Sequence, residues 1–235
     1  MYLSHFELTE KPFQLNSDPR FLWPGPRQQE VLDTLRYGTA ENKGLLLMTG
    51  EVGTGKTTLI SALVERLADR VVIARLADPG LTRREFFHFV ADGFGIQDRI
   101  RTKENFTGHL GGFLEAVRDG GRTALLIVDE AQIMTPGILQ EVRLLSNLEV
   151  RNRKLLNILL VGQNELLQKL HRPENDAVRK RIAIRCLLEP LLGSETEAYI
   201  NHRLAAAGCR RRLFAPDALE EIFEFTGGYP RQINI

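Results

Sequence analysis

An α/β fold with a parallel sheet flanked by helices, followed by a small all-helical appendage, is what three stretches of this sequence predict. The first is an apolar run at residues 45–48 that passes through a glycine-rich loop into residues of helical spacing. The second, Leu125-Leu126-Ile127-Val128-Asp129-Glu130, is apolar on both faces, as parallel strands are, and ends in two acids. The third is the change after Glu189-Pro190, where strand-like runs give way to helix signals alone. The expected division is an aromatic and proline-rich arm at residues 1–25, an α/β domain at 26–190 and part of a helical domain at 191–235.

Composition narrows the class. A chain of 235 residues with 43% apolar and 26% charged residues can bury a core and is not disordered. The formal charge of +1 gives no global attraction to nucleic acid, so any such contact needs a local patch. Cys186 and Cys209 fit neither a disulfide framework nor a metal site, and the five histidines have no ligand spacing. No apolar run is long enough to cross a bilayer and the start has no signal-peptide pattern, which leads to a cytosolic expectation for these residues. The ending at Gln232-Ile233-Asn234-Ile235 reads as the opening of a helix and suggests a piece of a longer protein.

Taken in order, residues 1–25 place Phe6, Phe13, Phe21 and Trp23 among Pro12, Pro19, Pro24 and Pro26, an irregular, adhesive segment that either packs over the core or walls a base pocket. A helix is expected from about Arg27 to Tyr37. The strand and loop that follow read Gly50-Glu51-Val52-Gly53-Thr54-Gly55-Lys56-Thr57-Thr58, a full phosphate-binding loop, with Leu59, Ile60, Leu63, Val64 and Leu67 continuing as a helix. Successive backbone N–H groups and the positive helix end form an anion site for a nucleotide β-phosphate. Gly53 and Gly55 allow conformations that a Cβ would block. Lys56 would reach the β- and γ-phosphates, the Thr57 hydroxyl would ligate Mg²⁺, and Thr58 would help hold the α-phosphate.

Residues 71–76 read as a second strand closed by Asp78-Pro79-Gly80, and Thr82-Arg83-Arg84-Glu85 as a capping box opening a helix whose Phe86, Phe87 and Phe89 are expected in the core. A polar link at 97–103 leads to a helix reaching about Arg118 and weakened at Gly111-Gly112. The strand ending in Asp129-Glu130 is the Walker B pattern: Asp129 would hold Mg²⁺ through water and Glu130 would polarise the attacking water. If the strand at 71–76 inserts between this strand and that of the phosphate loop, Glu130 belongs to the class with its catalytic glutamate beside the loop. Thr135-Pro136 caps a helix to about Leu148. A buried strand at 155–161 is closed by Gly162-Gln163-Asn164, and Gln163 would contact the γ-phosphate or the attacking water, or is a polar loop residue. Arg179-Lys180-Arg181-Ile182-Ala183-Ile184-Arg185-Cys186-Leu187 is a basic helix end running into the last strand. Ser194-Glu195-Thr196-Glu197 is read as a second capping box, a helix follows from about Pro216 to Phe225, and Gly227-Gly228-Tyr229-Pro230-Arg231 starts a third.

Together these motifs resemble the AAA+ ATPases, and more narrowly the ExeA-like, general secretion pathway protein A family. The resemblance rests on Met1-Tyr2 with Phe6, Lys11-Pro12-Phe13, Asp18-Pro19-Arg20-Phe21-Leu22, the loop at 50–58, Asp129-Glu130-Ala131-Gln132, the tract at 143–149, Leu160-Val161-Gly162-Gln163 with Glu165-Leu166, Arg181-Ile182, and Pro230-Arg231 with Ile233-Asn234. It spans essentially the whole chain. Departures are Trp23-Pro24-Gly25-Pro26, where the family has a simpler turn, and Asn164, where it has proline. The resemblance implies that Gln163 is the sensor 1 residue, that Arg231 is the sensor 2 arginine, and that Arg181, with Arg179 and Arg185 as alternatives, is an arginine finger inserted into a neighbouring subunit of a homo-oligomer. It also implies ATP as the nucleotide, Mg²⁺, and a continuation into a transmembrane helix and a periplasmic peptidoglycan-binding region, with association at the inner membrane. The expected function is an ATP-hydrolysing motor or switch for assembly of an envelope secretion, pilus or exopolysaccharide export system. Two others stay open: a DNA-binding ATPase of the transposition-regulator kind, with Arg151-Asn152-Arg153-Lys154 and Arg210-Arg211-Arg212 as phosphate-contacting patches, and a nucleotide-gated scaffold.

Overall fold

The computed structural model describes residues 2–15, 18–23, 25–77, 79–97, 102–209 and 211–235. Met1, Pro24, Asp78, the middle of the polar link at 97–103 and Arg210, all used in the sequence reading, lie outside them. The elements in chain order are α1 (Tyr2–His5), α2 (Pro26–Ala40), β1 (Leu45–Gly50), α3 (Lys56–Leu67), β2 (Val71–Leu76), α4 (Arg83–Gly93), α5 (Lys103–Asp119), β3 (Thr123–Val128), α6 (Pro136–Leu145), β4 (Glu149–Val150), β5 (Arg153–Lys154), β6 (Leu156–Gly162), α7 (Asn164–Leu170), α8 (Asp176–Arg179), β7 (Ile182–Leu188), α9 (Gly193–Ala206), α10 (Pro216–Thr226) and α11 (Pro230–Ile233). The chain divides into two compact units, one of residues 33–49 and 64–187, the other of residues 1–32, 50–63 and 188–235. Among the described residues no helix is long and apolar enough to cross a membrane.

The first unit is organised by a five-stranded sheet of order β2-β3-β6-β1-β7. The β2·β3, β3·β6 and β6·β1 pairs are all parallel, so these strands end on one edge, with Val128 opposite Leu160 and Thr49 opposite Gly162. β1 and β6 are buried along their whole length, because helices on both faces leave no position for a polar alternation. Each fully buried leucine or isoleucine contributes about 1.5–3 kcal/mol. One expectation is overturned: β2 does not insert between the loop strand and the acidic strand. It lies at the outer edge beside β3, and β6, the strand that ends at Gly162 just before Gln163, fills the position between β1 and β3.

Local signals explain where three of the helices begin. Thr82 caps α4 with a complete capping box to Glu85, Thr102 caps α5, and Thr135 caps α6 with Pro136 in the first turn. α5 runs unbroken through Gly111-Gly112, because Phe106, Leu110, Leu114 and Val117 form a buried stripe at helical spacing that outweighs roughly 1 kcal/mol per glycine. α6 ends at Leu145, short of the predicted Leu148. The phenylalanines of α4 divide: Phe86 and Phe87 are buried, but Phe89 is 54% exposed, since the inward stripe is 86, 87, 90 and 91. The hairpin of β4 and β5 was not anticipated. Its turn residues, Arg151 and Asn152, both have positive φ, the conformation a two-residue hairpin needs.

In the second unit the arm is a structural partner of the appendage helices. Leu8 and Phe21 are buried with Leu191, Tyr199, Ile200 and Leu204, and Phe6, Phe13 and Trp23 pack against them. Arg203, only 3% exposed, fixes the arm by donating to the carbonyls of Pro12 (2.6 Å) and Gln14 (3.1 Å). Thr9 bonds to the Ala207 carbonyl through both its N–H (2.8 Å) and its hydroxyl (3.0 Å). The capping box predicted at Ser194 is displaced. α9 begins at Gly193, and Glu195 reaches back to the Leu192 N–H at 2.8 Å while also pairing with Arg27, so Ser194 lies inside the helix.

Candidate functional site

The glycine loop belongs to the second unit and begins where β1 ends. Gly53 and Gly55 have φ of +87° and +97°, a region in which a side chain is strained. Gly50 allows close approach, since a Cβ there would lie 2.5 Å from the Leu188 carbonyl oxygen. Lys56 opens α3 and is 7% exposed. Its ammonium donates to the carbonyls of Gly50 and Glu51, both at 2.9 Å, which places the charge over the loop's own concavity. The Thr54 hydroxyl donates to the Glu51 carbonyl at 2.9 Å, stiffening the turn. Val52 and Thr57 are exposed and Thr58 is half-buried.

The Gly-Gly-Tyr-Pro-Arg segment is brought onto this loop. The Arg231 N–H donates to the Gly53 carbonyl at 3.1 Å, and a Cβ on Gly53 would meet the Arg231 Cβ at 2.9 Å. The Tyr229 hydroxyl donates to Glu51 Oε2, and that carboxylate pushes the phenol above its ordinary range. The phenol keeps its proton at neutral pH, as an ordinary phenol does, and it takes stronger alkali than usual to remove that proton and the contact with it. Nothing in the sequence pairs Tyr229 with Glu51; the residue reads only as part of a helix start.

The acidic half lies in the sheet-bearing unit at the end of β3. Asp129 is 6% exposed, its N–H donates to the Leu76 carbonyl at 2.9 Å, and its Oδ1 accepts the Glu130 N–H at 3.0 Å. Arg75, from β2, brings its guanidinium to 3.6 Å from Asp129 Oδ2. Glu130 is left-handed, with φ 49° and ψ 36°, a conformation that costs a non-glycine residue about 1–2 kcal/mol and persists where surrounding bonds over-determine it. Those bonds are present: Glu130 Oε2 accepts from Gln132 Nε2 at 2.5 Å and from Gln163 Nε2 at 3.3 Å. Gln163 is thus placed beside Glu130, while the role of Gln132 is invisible from sequence.

The basic segment separates its three arginines. Arg179 pairs with Asp176, and Arg185 donates to the Arg179 carbonyl at 3.1 Å. Arg181 is exposed and, among the described residues, forms no ion pair. The other basic patch is partly neutralised, with Arg211 beside Glu7 and Arg212 beside Glu197.

A family model described as an AAA domain matches residues 39–170, which include the loop, the acidic strand end and Gln163. The chain belongs to the AAA domain family. It is also 38% identical, over its entire length, to the general secretion pathway protein A of Aeromonas hydrophila, of which it spans 43%. The resemblance to ExeA-like AAA+ ATPases is therefore borne out. Among solved structures, the ORC2 protein of Aeropyrum pernix, in ADPNP–ADP complexes, superposes with a TM-score of 0.69 at 18% identity over 95% of this chain and 63% of that one. Cdc6p from Pyrobaculum aerophilum gives 0.63 at 20% identity over 98% and 63%. These likenesses bear out the α/β AAA+ fold.

Taken by itself, each unit carries groups of the chemistry that a nucleotide phosphate or its divalent cation takes. The loop supplies N–H groups around two left-handed glycines, and the Thr57 hydroxyl and Asp129 carboxylate are hard oxygen donors of the kind Mg²⁺ takes.

Proposed function

We propose that this chain binds ATP with Mg²⁺ and hydrolyses it, as the motor or switch of an assembly process in the bacterial envelope. The observation that carries the hydrolytic reading is the Glu130 carboxylate, held at the end of a buried strand by two amide donors on one oxygen. The envelope reading rests on the likeness to a general secretion pathway protein A along the whole of this chain.

Residues 50–58 would cradle the phosphates, and Lys56 would exchange its two loop carbonyls for phosphate oxygens. The cation, held by Thr57 and through water by Asp129, would supply neutralisation of charge on the phosphate oxygens. Glu130 would accept the proton of the attacking water, Gln163 would orient that water, and Arg231 would act from the helical segment as the second sensor. Arg181 suits an arginine finger better than Arg179 or Arg185, because its guanidinium is exposed and, among the described residues, forms no ion pair, whereas Arg179 pairs with Asp176 and Arg185 donates to the Arg179 carbonyl. The division into 1–25, 26–190 and 191–235 remains our reading of the functional parts.

The test is ATP turnover per chain across a wide range of protein concentration. Turnover is expected to rise with concentration, and Lys56→Ala is expected to abolish tight nucleotide binding. Arg181→Ala should lower the assembled rate by about 10³–10⁵ and remove its concentration dependence. A flat profile at a high rate would sink the finger. Stimulation by duplex DNA that falls steeply with salt would replace the envelope reading with the DNA-binding one, for which the exposed Arg151 and Arg153 of the hairpin, and Arg211 and Arg212, are the candidate contacts.

Tyr229→Phe tests the helical contact on the loop. With the Glu51 bond gone and the Arg231 N–H left to hold Gly53, dissociation of a fluorescent ATP analogue is expected to quicken severalfold. An unchanged off-rate would show that the contact does not retain nucleotide.

A further inference from the structure

Gln132 follows the acidic pair in a short 3₁₀ turn, Ala131–Ile133, and both ends of its side-chain amide are used. Nε2 donates to Glu130 Oε2 at 2.5 Å, and Oε1 accepts the backbone N–H of Gln163 at 3.2 Å. Gln163 returns a bond of its own, Nε2 to the same Glu130 oxygen, at 3.3 Å. The three residues therefore close a ring of hydrogen bonds joining the end of β3 to the end of β6.

We propose that Gln132 is a positioning residue: its amide locks the Glu130 carboxylate to the end of β6, leaving Oε1 of Glu130 as the oxygen that receives the proton of the attacking water. The inference rests on the hydrolytic reading given above. Both amide donors fall on Oε2, which fixes the plane of the carboxylate as well as its position. A base that drifts by about 1 Å loses on the order of 10²-fold in rate, so a group that holds the carboxylate matters without touching substrate.

Two independent features hold Gln132 itself in place. Lys169, on α7, donates its ammonium to the Gln132 carbonyl and to the Met134 carbonyl at 2.7 Å, so the turn is tied to the helix that Gln163 caps. Burial, with the Arg172 charge second, lowers the Lys169 pKa, and the two carbonyls are its local compensation. The other feature is Gly162, the last residue of β6. A Cβ there would lie 2.7 Å from Gln132 Oε1 and 2.9 Å from Leu166 Cδ2, so a glycine is what lets the amide approach the strand end. The left-handed backbone of Glu130 fits the same picture, since it aims the carboxylate at these donors.

The experiment compares wild type with Gln132→Met, Gln132→Glu and Gly162→Ala in ATP turnover, equilibrium binding of a fluorescent ATP analogue, and thermal melting. Gln132→Met keeps the volume and loses both bonds. Gln132→Glu keeps the acceptor for the Gln163 N–H and replaces the donor with a repelling carboxylate. Both are expected to lower kcat by about 10–100-fold with KM, nucleotide affinity and melting temperature nearly unchanged. Gly162→Ala, which displaces the amide without removing it, should lower kcat in the same manner by a smaller factor. In a Glu130→Gln background, Gln132→Met should add less than twofold, because the group it positions is already lost. Wild-type kcat in Gln132→Met and Gln132→Glu would overturn the proposal while leaving hydrolysis by Glu130 standing. A kcat loss matched by losses in affinity and melting temperature would overturn it as well, showing a structural role only. Absence of turnover in wild type at every protein concentration would sink both readings together.

Discussion

Glu130→Gln is expected to cut ATP turnover by about 10²–10⁴ while leaving nucleotide affinity within about twofold of wild type. The substitution is isosteric, and the amide oxygen it leaves can still accept the bonds that Gln132 and Gln163 now give to Oε2. The strand end and the ring of bonds around it should therefore persist, and what disappears is the ability to take up a proton. The measurement is single-turnover hydrolysis paired with binding of a fluorescent ATP analogue. Tight binding with slow hydrolysis supports the base assignment; hydrolysis at the wild-type rate would remove Glu130 from the chemistry and direct attention to a water held elsewhere. Loss of both together would mean that the substitution had disturbed the left-handed turn that follows Asp129, so a melting curve belongs beside the kinetics.

The glycine loop was legible because it is a local device: its physics is written in consecutive residues, and the strand before it and helix after it follow from the same short stretch. The apolar strand ending in Asp129-Glu130 was legible for a similar reason. Sheet order was not. Residues 71–76 and 156–162 are both plausible occupants of the place between β1 and β3, and only packing of the whole unit put β6 there and β2 at the edge. Phe89 was misread because a run of aromatic residues suggests burial, whereas a helix turns one of them outward. At Ser194, a good capping pattern lost to Glu195, which is committed to Arg27 and the Leu192 N–H. The contacts of Gln132, Tyr229 and Arg203 join residues from 2 to 191 positions apart. Of these the nearest, Gln132 to Glu130, carries no pattern of its own, because an amide beside an acid pair has the same appearance whether it is bonded or solvated.

Arg203→Met should destabilise the helical unit by about 3–5 kcal/mol, because three acceptors inside the fold lose a charged donor. The guanidinium is 3% exposed and donates to the Pro12 carbonyl at 2.6 Å, the Gln14 carbonyl at 3.1 Å and the Tyr199 hydroxyl at 3.0 Å. It also stacks 4.7 Å from the Phe21 ring centroid and 5.7 Å from that of Tyr199. Methionine would fill much of the stem's volume and stay apolar, so the loss isolates the head group: two arm carbonyls and a phenol give up a charged donor, and the Phe21 ring gives up a cation. Tyr199 would keep its bond to Asn234 at 3.1 Å, which marks the change as loosening of the arm and not collapse of α9. Trp23, the single tryptophan, packs in this cluster, so its fluorescence during urea unfolding reads the unit directly. With a slope of about 2 kcal/mol per molar urea, the midpoint should fall by about 1.5–2.5 M. Arg203→Lys, which keeps the charge but cannot make the planar fork of contacts, should fall between the two. A Trp23 midpoint that Arg203→Met leaves within about 0.5 M of wild type would show that the arm is held by its aromatic packing alone.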